Sequence, residues 1–86
     1  MKLLTTLIYK NRKFYIVETE NHLYLSIEDK YVDENGKLNK QLNGITMNAN
    51  KYLPECIQET KMQVDVDELV ANGMEINEAI LKVVLG

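Results

Sequence analysis

Few side chains in this sequence have the type and spacing that covalent or metal chemistry needs. Its single cysteine, Cys56, and single histidine, His22, would have to meet in a polar cleft to work as nucleophile and base. Cys56 falls on an apolar helical stripe with Leu53, Ile57 and Thr60, where a free cysteine behaves as a small hydrophobe. His22 falls at a strand start, on the polar side. One cysteine and one histidine rule out structural zinc within a single chain. Asp33-Glu34-Asn35-Gly36 has the composition of a calcium loop. Setting Gly36 at the invariant glycine, however, puts Tyr31 at the first ligand position and Leu42 at the twelfth, where acids are required. The segment reads as a hairpin turn instead, because Asn-Gly is the strongest two-residue turn pair. Asp65, Asp67 and Glu68 could offer paired carboxylates, yet helix capping and the helix dipole already account for acids at a helix start. The four glycines, at 36, 44, 73 and 86, are too scattered to cradle a phosphate. No catalytic residue, cofactor or metal is expected, and an enzyme is the least favoured class.

The elements that would position these groups follow from periodicity. Leu23, Leu25 and Ile27 alternate with polar residues, the mark of a half-buried strand. Phe14-Tyr15-Ile16-Val17 and residues 3–9 are aromatic and β-branched, which suits a pleated surface. Short polar segments at Lys10-Asn11-Arg12-Lys13 and Glu20-Asn21 separate the runs, so a three-stranded antiparallel meander is expected. Tyr31-Val32 and Leu38 flank the Asn35-Gly36 turn as a further short hairpin. Asn43-Gly44 precedes a candidate edge strand at Ile45-Thr46-Met47. From about Asn50 the period becomes helical. A first helix is expected with Asn48 or Asn50 as cap and Pro54 in its first turn. Val64-Asp65-Val66-Asp67 suggests a break and a second start, ended by Asn72-Gly73. A last helix, capped near Asn77, carries the stripe Ile76, Ala79, Ile80, Val83 and Val84. The fold class is therefore α+β: an N-terminal three-stranded meander with two or three C-terminal helices packed on one face. The chain is one domain, with residues 1–48 as sheet and turns and 49–86 as an acidic helical half.

At 86 residues, 45% hydrophobic and 27% charged, the chain has ordinary globular usage. Ten basic residues stand against thirteen acidic ones, a net charge of −3. That balance disfavours a surface built to grip phosphate backbones. The charge is unevenly placed, with residues 52–86 holding Lys61 and Lys82 against seven acids. No apolar run approaches the ~20 residues of a membrane helix, and Met1-Lys2-Leu3-Leu4 lacks the apolar region of a leader. A lone cysteine also suits a reducing compartment, so a cytoplasmic protein is expected, in a bacterial cell or a phage-infected host.

If both hairpin loops hold an even number of residues, register sorts the strands into two faces. Leu3, Thr5, Leu7, Tyr9, Phe14, Ile16, Glu18, Leu23, Leu25 and Ile27 make the core side. Leu4, Thr6, Ile8, Tyr15, Val17, Thr19, His22, Tyr24 and Ser26 make the other. The second face is either an ordinary sheet surface, partly covered by residues 31–48, or a partner face. Leu4, Ile8, Tyr15, Val17 and Tyr24 are its candidate contacts and would also serve a homodimer. Arg12, Lys13, Tyr15 and Tyr24 could imitate a stacking platform for single-stranded nucleic acid, the runner-up function. Glu55, Glu59, Asp65, Asp67, Glu68, Glu75 and Glu78 are either a solvated helical face or a phosphate-mimicking surface for a basic partner.

Two resemblances bear on these readings. Leu69-Val70-Ala71-Asn72-Gly73-Met74 followed by Glu78-Ala79-Ile80 resembles the helix–Met-Gly-Phe–helix of ubiquitin-associated domains, with Asn72 in place of Met and Met74 in place of the aromatic. The whole chain, Asn/Lys/Ile-rich with a small sheet and acidic helices, looks like proteins encoded by phages and conjugative elements of low-GC Gram-positive bacteria. Some of these are anti-CRISPR or other anti-defence inhibitors. The absence of a catalytic constellation beside two candidate contact surfaces leads to the expectation of a non-enzymatic protein–protein interaction protein, and the likeness implies an inhibitor of a host defence protein acting by surface occlusion.

Overall fold

The computed structural model describes residues 2–32, Glu34 and 49–86. Three strands, β1 (Lys2–Tyr9), β2 (Arg12–Glu18) and β3 (Tyr24–Glu28), form an antiparallel sheet in the order β1-β2-β3. A 3-10 turn at Asp29–Tyr31 follows β3, and two helices complete the chain, α1 (Leu53–Ala71) and α2 (Ile76–Leu85). This is the α+β meander with C-terminal helices that the periodicity predicts. The expected hairpin at Asn35-Gly36 and edge strand at Ile45-Thr46-Met47 lie outside the described residues.

The two hairpin loops differ in parity, and that decides the faces. Lys10 and Asn11 both have positive φ, 48° and 65°, the geometry of a two-residue type I′ turn that matches the strand twist. It pairs Tyr9 with Arg12 and Leu7 with Phe14, as an even loop should. The second loop is odd. The Thr19 N–H donates to the Leu23 carbonyl at 2.8 Å, and the His22 N–H donates to the Thr19 carbonyl at 3.0 Å. His22 sits at φ 60°, so Glu20-Asn21-His22 is a three-residue loop ending in a left-handed residue. The pairing that results is Ile16 with Ser26 and Val17 with Leu25.

Directly opposed residues share a face. Phe14 and Ile16 therefore share theirs with Tyr24, Ser26 and Glu28, while Leu25 and Ile27 join Tyr15 and Val17. The even-loop expectation is thus corrected for β3: one extra loop residue turns the whole strand over. A second irregularity lies in β1. Leu3 pairs with Val17 and Thr5 with Ile16, so the ladder passes over Leu4 in a bulge and Leu3 lands on the Val17 side.

The helices also depart from the expected boundaries. α1 runs unbroken through Val64-Asp65-Val66-Asp67 for 19 residues. Its N-cap position is Tyr52, with Pro54 in the first turn. Asn50 is not the cap; its backbone N–H and C=O pair with Tyr24 at the outer edge of β3, at 3.0 and 2.8 Å. The end of α1 follows the Asn72-Gly73 signal. The Met74 N–H donates to the Leu69 carbonyl and the Gly73 N–H to the Val70 carbonyl, both at 3.0 Å, which is a Schellman motif around Gly73 at φ 99°. α2 is capped by Glu75 rather than Asn77, its carboxylate accepting from the Glu78 N–H at 3.2 Å.

α1 lies against the sheet, touching β1 and β3, and α2 packs on α1. The core comprises Phe14, Ile16, Val17, Ile27, Cys56, Val64, Val66 and Ala79, with Ile16 and Ala79 fully enclosed. Thr60 is buried on the Cys56 stripe, and its hydroxyl donates to the Cys56 carbonyl at 2.7 Å, the usual outlet for a mid-helix threonine.

Candidate interaction surfaces

Two surfaces distinguish themselves, and both come from the helical half. The first is the seam between α1 and the sheet. Cys56, Thr60 and Val64 recur at four-residue spacing and form the buried stripe of α1. Carboxylates beside that stripe meet the basic end of the first hairpin. On the β1 side, Asp65 accepts from the Tyr9 hydroxyl at 3.0 and 3.2 Å and pairs with the Lys10 ammonium at 2.8 Å; Glu68 stands 3.5 Å from the same ammonium. On the β3 side, Arg12 grips Glu28 through Nε at 2.9 Å and a terminal nitrogen at 2.6 Å. Its other terminal nitrogen reaches Asp67 at 2.8 Å. Gln63 steadies the second Asp67 oxygen at 2.9 Å. The fork of Arg12 thus ties β2, β3 and α1 together, a use to which a planar guanidinium is suited and an ammonium is not.

The electrostatics follow the contacts. Arg12, hydrogen-bonded to it, holds the Glu28 carboxyl below its ordinary range. Lys10 and then Tyr9 do the same for Asp65. In return Asp65 raises both Lys10 and the Tyr9 hydroxyl, and Glu28 followed by Asp67 holds Arg12 more firmly protonated. Tyr9, Lys10, Arg12, Glu28 and Asp65 are each stabilised in the charge state they carry at neutral pH.

Of the seven acids that sequence places on one face, the seam takes Asp65 and Asp67 and engages Glu68 at its rim. Glu75 serves as a cap, while Glu55, Glu59 and Glu78 are exposed. The five candidate interface residues also separate. Ile8, Tyr15 and Val17 share one side of the sheet, Tyr24 lies on the opposite side, and Leu4 is at the bulge. Val17 is buried, the Tyr15 hydroxyl donates to Asp29 at 2.5 Å, and Ile8 is 70% exposed at the sheet edge. The four residues of the nucleic-acid platform divide in the same way: Lys13 and Tyr15 on one side, Tyr24 and the fully engaged Arg12 on the other.

The second surface is α2. Sequence periodicity assigns Ile76, Ala79, Ile80, Val83 and Val84 to a buried stripe. Ala79 is enclosed and Val83 half-buried, but Ile76, Ile80 and Val84 stand in solvent together with Leu81 and Leu85. The reason is geometric. α1 occupies the sheet face, so α2 has a helix rather than a sheet as its main support, and a helix buries only a narrow strip of its neighbour. Ala79 permits close approach along that strip, and the larger residues are turned outward. At 100° per residue the outward set sweeps about half the helix circumference, interrupted by Asn77. Five exposed aliphatic side chains thus share one side of α2, a contiguous apolar patch of the kind that marks interaction sites. Leu81 and Leu85 were legible as candidates only through the excess of apolar residues in Ile76–Leu85, seven in ten, over what one helix seam can bury.

The groups considered for chemistry remain apart from both surfaces. Cys56 is buried, and burial pushes its thiol pKa up, which keeps it protonated and unreactive. The His22 side chain is exposed on its turn, 3.4 Å from Glu18. Among the described residues no three His, Cys, Asp or Glu side chains gather as metal ligands would. No described helix is long and apolar enough to cross a membrane. No protein-family model matches the chain, and no curated protein or solved structure matches it either.

Proposed function

We propose that this chain is a small non-enzymatic protein–protein interaction protein that works by occluding a surface, with the outer face of α2 as its contact. The observation that carries the reading is the patch of Ile76, Ile80, Leu81, Val84 and Leu85, exposed on a helix whose seam with α1 encloses Ala79 alone. Fully burying one such side chain is worth about 1.5–3 kcal/mol, so a partner covering several of them binds by the hydrophobic effect without any special chemistry. The exposed acids Glu75 and Glu78 at the start of the same helix favour a basic group on that partner. Small size, acidic helices and Asn/Lys/Ile-rich composition support the form of the reading in which the partner is a host defence protein and the chain is a phage or mobile-element inhibitor.

Site-specific photo-crosslinking in cells tests the contact face. A crosslinker at Val84 or Leu85 should yield discrete adducts, and one at the exposed turn residue Asn11 should not. Equal adduct patterns from both positions would remove α2 as the contact.

A further inference from the structure

The two edges of the sheet are finished differently. At β3 the chain covers its own outer edge, the Asn50 N–H and C=O pairing with Tyr24, and Glu28 puts a carboxylate at the far end. β1 has no backbone partner on its outer side among the described residues. Native edges are blunted by lysines, prolines or cover, because unpaired N–H and C=O groups are a template for another strand. From Leu3 to Tyr9 this edge holds neither a charge nor a proline, and Leu3, Thr5, Thr6 and Ile8 are exposed. The bulge at Leu4 blunts one end and leaves Thr5–Tyr9 regular.

We propose that this edge pairs with the same edge of a second copy of the chain, joining two meanders into one six-stranded antiparallel sheet. The inference concerns a different surface from α2 and does not rest on the reading of that helix.

The hairpin fixes which backbone groups are free. In a two-residue turn the closing pair, Tyr9 and Arg12, exchanges both of its hydrogen bonds, and such pairs alternate with unbonded ones along the ladder. Tyr9, Leu7 and Thr5 therefore direct their N–H and C=O to β2, while those of Ile8 and Thr6 point away from the sheet. A two-fold axis through Leu7, perpendicular to the sheet, sets Thr6 of each copy against Ile8 of the other. Both pairs are then hydrogen-bonded, and every outward group of the regular stretch is satisfied. The axis also keeps each side of the sheet continuous. Leu7 meets Leu7 of the other copy on the α1 side, and Thr6 meets Ile8 on the opposite side, a β-branched pair of the kind that stabilises sheets. Shifting the register by two residues in either direction brings in the bulge at Leu4 or the turn at Lys10.

Charge and access both favour a copy. The chain carries a net charge of −3, so two copies repel on the whole, yet no charge lies between Leu3 and Tyr9. Lys10, the next residue, is held by Asp65 at 2.8 Å and Glu68 at 3.5 Å. Thr5 lies on the α1 side with Ile16 and is nevertheless exposed, so α1 does not roof the edge where the other copy enters. One self-complementary edge then serves both partners, as a two-fold contact requires. The paired stretch is short, which makes this a dimer that dissociates on dilution.

Sedimentation velocity of the full chain, from tens to several hundred micromolar, should show monomer passing into dimer. Amide exchange read residue by residue supplies the register. Thr6 and Ile8 should exchange about tenfold more slowly at the higher concentration, whereas Leu7 and Tyr9 are protected at both. Thr6→Pro deletes an outward N–H without touching the β2 ladder and should give a folded monomer. Ile8→Glu should do the same, because Ile8 is 70% exposed and a carboxylate there faces Lys13 within the hairpin. If Thr6→Pro fails to fold, Ile8→Glu decides. A wild type that stays monomeric at several hundred micromolar overturns the proposal and leaves the crosslinking test of α2 intact. A dimer that survives Ile8→Glu overturns it too and moves self-association elsewhere, the α2 face being next. A dimer in which the Thr6 and Ile8 amides gain no protection overturns the strand pairing.

Discussion

The α1 seam and the outer face of α2 lie on adjoining helices, yet they treat charge and apolarity in opposite ways. In the seam, Asp65 and Asp67 turn inward to Lys10, Tyr9 and Arg12, and the sheet covers the apolar stripe between them. On α2, Ile76, Ile80, Leu81, Val84 and Leu85 turn outward. Acids that look like solvent ligands have become internal ties, and residues that look like core have become surface. Periodicity states which side chains want cover. It does not state that the same chain supplies it, and an 86-residue protein has little interior to offer.

The comparison is broken most directly by matched truncations. Ile16→Ala should lower stability by about 3 kcal/mol, because Ile16 is fully enclosed between sheet and helix. Ile80→Ala should change the dilute protein by no more than about 0.5 kcal/mol. Urea titrations of the two variants decide it, and similar losses would show that α2 is covered within the monomer.

The polar half of the comparison is sharpened by pH. Glu28→Gln removes one end of the Arg12 fork in a setting where the carboxylate is only 12% exposed, and should cost about 1–2 kcal/mol at pH 7. The folded pKa values of Glu28 and Asp65 lie below their unfolded ones. Their contribution is therefore complete above the unfolded values, near pH 4–5, and is lost as pH falls through the folded values. The urea midpoint of the wild type should decline from about pH 5 downward, and the gap between wild type and Glu28→Gln should narrow as Glu28 itself takes up a proton. A constant gap from pH 7 to pH 3 would mean that the cost of Glu28→Gln does not come from the carboxylate's charge.

The smallest effect expected concerns Ser26. Its hydroxyl is buried on the α1 side of the sheet without a hydrogen-bond partner among the described residues. Ser26→Ala relieves that desolvation and should be neutral or stabilising by up to about 1 kcal/mol. A clear loss would reveal a partner for the hydroxyl and a seam more polar than it looks.

Much of the fold was legible. The strands of residues 2–28, the turn at Lys10-Asn11, the helical half and the stop at Asn72-Gly73 all follow from local patterns that the structure repeats. The faces of β3 were not, because they depend on whether its loop holds an even or odd number of residues. Glu20-Asn21-His22 carries no glycine to mark His22 as the left-handed position. The break expected at Val64–Asp67 failed for a related reason: the two aspartates look like caps until Lys10 and Arg12 are brought beside them.

By itself the sequence determined the kinds of element, their order, and which residues are apolar enough to need cover, since these rest on periodicities of two and 3.6 and on turn chemistry within a few residues. Tertiary structure alone decided which acids are spent on Arg12 and Lys10, which strand face meets α1, and which apolar side chains of α2 are left in water. The ties of Asp65 and Asp67 join groups more than fifty positions apart, the face of β3 turns on a left-handed His22 that no glycine marks, and the exposure of α2 depends on how much surface one helix can cover on another; no local pattern carries these.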